Sequence, residues 1–103
     1  MNIDELDSYI KSNCKAYDIF IEKAREDQID RNSKRKASKR FNDEKIERAA
    51  EKSWNEVIAN FHEKLKSTST LKKASPLTWK NFIAENEILE SLEDSMAELD
   101  MSE

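Results

Sequence analysis

Residues 42–66, NDEKIERAAEKSWNEVIANFHEKLK, decide the fold class. Ile46, Ala50, Trp54, Val57, Phe61 and Leu65 recur at steps of three and four, so they line one face of a helix, and Ile58 widens that face. Glu47, Arg48, Lys52, Glu56 and Glu63 fall elsewhere on the surface. Asn42 is placed to cap the free amides of the first turn, Asp43 and Glu44 suit its positive dipole end, and Phe41 is expected to staple onto Ile46. The spacing predicts a helix over about residues 43–66.

The same period appears upstream. Ile3, Leu6, Ile10, Cys14, Tyr17, Ile21 and Ala24 form one stripe, flanked by Tyr9 and Phe20, and predict a helix over about residues 3–29. Downstream, Ser75 and Pro76 read as an N-cap followed by proline in the first helical position, where its missing N–H costs nothing. A third helix is expected over about residues 76–99. Its apolar face shifts by roughly a third of a turn between Trp79, Phe82, Ile83 and Ile88, Leu89, Leu92, Met96, Leu99, which places a bend or break near residue 86. Residues 67–75 read as a polar linker.

The composition agrees with helices and little else. The 103 residues contain no Gly and one Pro, which disfavours tight hairpin turns and removes the glycine-rich loops that cradle nucleotide phosphates. A chain of this length is one domain. The expectation is a single all-α, small three-helix domain, as a helical bundle or an extended helical hairpin, with an intertwined dimer as the alternative. Long helices in so short a chain carry more apolar face than one small core covers, so a protein partner or a homodimer is expected.

Cys14 is the one cysteine, so no internal disulfide forms. The acidic, amphipathic N-terminus lacks the pattern of a signal peptide, and no run approaches a membrane span, so the expected setting is cytoplasmic, with the nucleus as second choice and no membrane partner. His62 stands alone, which leaves no imidazole pair for a metal. Cys14 reads as a small core hydrophobe, and the carboxylates as solvated helical faces. The expectation is therefore no catalytic residue, no metal and no cofactor.

Two charged segments stand out. Residues 31–40 hold Arg31, Lys34, Arg35, Lys36, Lys39 and Arg40 and no acid, whereas residues 84–103 hold eight acids and no base. The basic segment suits a solvated interhelical connection or a polyanion site, and it also resembles a nuclear import signal. Residues 87–103 read as an acidic amphipathic element with the spacing of a helix that lies in a partner's groove; Leu92, Met96, Leu99 and Met101 also fit a loose export-type pattern. The leading functional expectation is a non-enzymatic regulatory adaptor or inhibitor. Its anchors would be Trp54, Trp79, Phe82, Leu89, Leu92, Met96 and Leu99, because large apolar side chains supply most interface energy. Binding of nucleic acid through residues 31–40 is the alternative. On this reading residues 87–103 are separable, and cutting after Asn86 leaves the first two helices folded.

Overall fold

The computed structural model describes residues 1–68, 71 and 73–99. Parts of the linker and of the acidic element, Met101 included, lie outside the described residues. Among the described residues the architecture is five α-helices: α1 (Ile3–Asn13), α2 (Ala16–Ser33), α3 (Asp43–Lys66), α4 (Pro76–Glu85) and α5 (Ile88–Glu98). A 3₁₀ turn, Ala37–Lys39, joins α2 to α3.

The all-α class and the bounds of α3 match the sequence reading. Asn42 caps α3 by accepting from the Lys45 amide at 2.9 Å, and Ser75 caps α4 by accepting from Thr78 at 3.3 Å. The third predicted helix breaks where its stripe shifts. Glu87 takes the left-handed conformation there, with φ of 51°.

The first predicted helix, residues 3–29, is corrected. It is two helices, and the second runs on to Ser33. Cys14 is extended between them, Asn13 turns its side chain back onto the Tyr9 carbonyl at 2.8 Å, and the Lys15 amide freed by the break is taken by the Glu93 carboxylate at 2.9 Å. A short polar side chain that bonds a nearby backbone carbonyl competes with the helix, so Asn13 is a local contributor to the break at Cys14. The gain lies in packing. With its register reset, α2 buries Ala16, Phe20, Ile21 and Ala24, so Phe20 is core and Tyr17 sits at its edge, the reverse of the unbroken stripe.

Trp54 fixes the level at which α1 and α2 meet α3. It is wholly buried, its indole N–H donates to Asp7 Oδ1 of α1 at 2.7 Å, and its rings face Tyr17 and Phe20 of α2 at centroid distances of 5.2 and 5.6 Å. Further contacts between α3 and the preceding helices pair Met1 with His62 and Arg25 with Glu47, so α1 and α2 run antiparallel to α3. Helix α4 covers the end of this body: Trp79 stacks on His62 at 5.2 Å, and Lys80 reaches over the Tyr9 ring. Helix α5 then returns along α2. Glu93 meets Lys15, and the carbonyls of Met96 and Leu99 meet Lys23, so α5 points the same way as α2.

Helices α2 and α3 outrun the other three. Beyond Ala24 and Ala50 only Ile46 is buried, and the pair projects as a narrow antiparallel arm. The molecule measures 51 × 22 × 22 Å, with a radius of gyration of 15.9 Å against about 13 Å for a compact chain of this length.

Candidate functional site

Both α3 and α5 pack on α2, and between them a cleft of about 440 Å³ stays open. Val57 and Phe61 of α3 and Ile88, Leu92 and Met96 of α5 form its apolar walls, with Asn60, Lys64, Ser91 and Ser95 along its edges. Val57, Phe61 and Ile88 remain half-exposed, whereas Leu92 and Met96 are 8% exposed and turn mainly toward the core. The physical origin is the width of α3's apolar arc. Trp54, Ile58 and Leu65 fill the side facing the core, and Val57 and Phe61 are left over beside them.

Only some of the anchors expected from sequence reach this cleft. Trp54 and Trp79 are spent on the core, at 0% and 3% exposure, and offer nothing to a partner in this conformation. Phe82, Leu89 and Leu99 are half-buried against the same core. Leu92 and Met96 do line the cleft. Val57, Phe61 and Ile88, which the sequence places on apolar stripes, were not among the expected partner anchors.

The basic segment sits apart, at the far tip of the arm, and it is built rather than loose. Asn32 of α2 donates to the Phe41 carbonyl at 3.0 Å and accepts from the Phe41 amide at 2.7 Å, closing the loop. The Arg35 guanidinium lies over the Phe41 ring at 4.1 Å, so Phe41 serves as a platform for a cation. Arg40 turns back to the carbonyls of Arg35 and Ser33. Arg31 and Lys34 pair with Asp27 and Asp30 one turn earlier, while Lys36 and Lys39 are exposed and make no ion pair among the described residues. Residues 30–45 carry seven bases and three acids, so the tip remains positive. Several of these bases also suit the negative dipole end of α2, a structural role that needs no ligand.

Burial pushes the Cys14 thiol up, and the nearby Glu93 and Glu90 add to the effect, so its thiolate is scarce near neutral pH. His62 is buried, its Nε2 lies 2.8 Å from the Met1 carbonyl oxygen, and its ring is stacked on Trp79. Among the described residues no group of His, Cys, Asp and Glu is arranged to hold a metal, and no helix is long and apolar enough to cross a membrane.

Comparisons with protein-family models, curated proteins and solved structures return no match.

Proposed function

We propose that this chain is a non-enzymatic protein-interaction module, a regulatory adaptor or inhibitor that takes an amphipathic helix of a protein partner into the cleft between α3 and α5. One observation carries the reading: two helices supported by a common third leave an apolar cleft between them, and a further helix laid there would complete a bundle. Helix-in-groove recognition uses apolar anchors one turn apart, which is the spacing of Val57 with Phe61 and of Ile88, Leu92 and Met96 along the two walls. The setting of His62 and Cys14, each committed to internal packing, supports a binding role over a catalytic one.

The test is a backbone-amide NMR titration of the full chain with an uncharged amphipathic peptide of about 14 residues, roughly 21 Å long as a helix. The expected result is a cluster of shifts at Val57, Phe61, Ile88 and Met96, lost in Phe61→Ser while the melting transition persists. Shifts confined to other faces would overturn the reading. So would a concentration-dependent dimer that closes the same residues to the peptide, which would give the cleft to a second copy.

A second reading rests on the tip of the arm, where Lys36 and Lys39 stand on an ordered turn without ion-pair partners among the described residues. Contact with nucleic-acid phosphates is the chemistry that such a tip suits.

A further inference from the structure

The cleft is apolar along its walls and acidic along its α5 edge. At 100° per residue, Glu56 and Glu63 follow Asn60 on the solvent side of α3, flanked there by Lys64 and Lys52, whereas Glu87, Asp94 and Glu98 follow Ser91 on the solvent side of α5 with no base among them. All five carboxylates are exposed, and none takes part in an ion pair among the described residues. Lys64 is the one base among the residues lining the cleft. Acids away from the cleft, such as Asp4, Glu22 and Glu26, likewise have no ion pair among the described residues, so what marks the cleft is that α5 presents acids and no base beside it.

From this arrangement we infer that the occupant of the cleft is a basic amphipathic helix, apolar on one face and carrying Lys or Arg along the flank of that face that lies against α5. The inference rests on the cleft being the docking site and adds the chemistry of the partner. A row of acids along the α5 edge of an apolar floor repels an acidic helix, and it favours a basic one that sets cations over that edge. Encounter is steered as well, because α5 and its surroundings form the acidic region of the molecule while its bases concentrate at the distant tip. The acidic edge sets preference and rate, and the apolar walls hold the helix.

The experiment compares two peptides of about 14 residues with the same leucine face, one flanked by lysine and one by glutamine, by fluorescence anisotropy against the full chain. The lysine peptide is expected to bind about tenfold tighter or better at low salt, and the preference to shrink toward unity near about 1 M salt, where the Debye length is about 3 Å. The variant E63Q/D94N/E98Q, changed only at exposed positions, is expected to erase the preference while keeping glutamine-peptide binding and the melting temperature. Equal binding of the two peptides to the unaltered chain overturns the basic partner and leaves the cleft reading intact. Binding of neither overturns both. Lysine-peptide binding that Phe61→Ser leaves unchanged places it outside the cleft and overturns the inference.

Discussion

The Lys23 ammonium closes the end of α5 by donating to the Met96 carbonyl at 2.8 Å, and it also reaches the carbonyls of Ala97 and Leu99. Helix α5 has no base in its own last turn, so the cation that its negative dipole end favours comes from α2 instead. This contact makes α5 part of the body. Lys23→Gln is expected to cost roughly 1–2 kcal/mol, seen as a lower melting temperature and as faster amide exchange at the end of α5. Cutting after Asn86 also removes Leu92 and Met96 from the core cluster. The structure therefore favours a cooperative loss of stability on truncation, against the separable element expected from sequence. An unchanged melting curve for residues 1–86 would restore that expectation.

Trp54 ties α1, α2 and α3 together at one level. Trp54→Ala is expected to cost about 3–5 kcal/mol, the range for emptying a large aromatic site. Trp54→Phe keeps most of the packing but leaves Asp7 Oδ1 without its indole donor, and about 1 kcal/mol is expected because Asp7 retains Lys11 and some solvent. Urea unfolding monitored by circular dichroism ranks the two. Equal losses would mean that the hydrogen bond, and not the volume, positions the helices.

Tyr17 carries a signature in alkali. Burial, together with its hydrogen bond to the Glu51 carboxylate, pushes its pKa up to about 12. The unfolded chain releases this proton near pH 10, while the folded chain holds it, so the associated stability is complete below about 10 and is lost as pH rises toward 12. Tyr17→Phe should flatten that part of the pH dependence relative to the unaltered chain. Parallel slopes for the two proteins would show that Tyr17 does not titrate late.

Glu87 begins α5 in a left-handed conformation, in a chain without glycine. A side chain there costs roughly 1–2 kcal/mol, so Glu87→Gly should recover part of it, offset by the greater freedom of glycine in the unfolded chain. A gain of up to about 1 kcal/mol in thermal stability is expected. A loss would indicate that the Glu87 side chain makes compensating contacts.

The tip of the arm should bind duplex nucleic acid weakly and without sequence preference, with affinity collapsing toward physiological salt, because only a short basic segment is presented. Lys36→Glu and Lys39→Glu, both at exposed sites, should abolish the residual binding without lowering the melting temperature. Sequence-specific binding that persists at physiological salt would put the tip ahead of the cleft as the functional site.

What the sequence determined by itself was local. The apolar period and Asn42 cap set α3, Ser75 and Pro76 set the start of α4, and the shifted stripe marked the break at Glu87, because each signal acts within a turn or two of the chain. The basic and acidic segments were legible as charge, and the excess apolar face as something to be covered. Tertiary packing decided the rest. Cys14 lies in a stripe that reads as unbroken, and the break becomes stable where Glu93, 78 residues away, takes the freed Lys15 amide and Phe20 turns onto Trp54. Tertiary packing also sorted the apolar residues: Trp54 and Trp79 were enclosed and became core, while Val57 and Phe61, equally apolar on paper, faced the gap that α5 leaves by leaning on α2. Periodicity states which face is apolar, and only the placement of distant helices fixes how much of that face is covered.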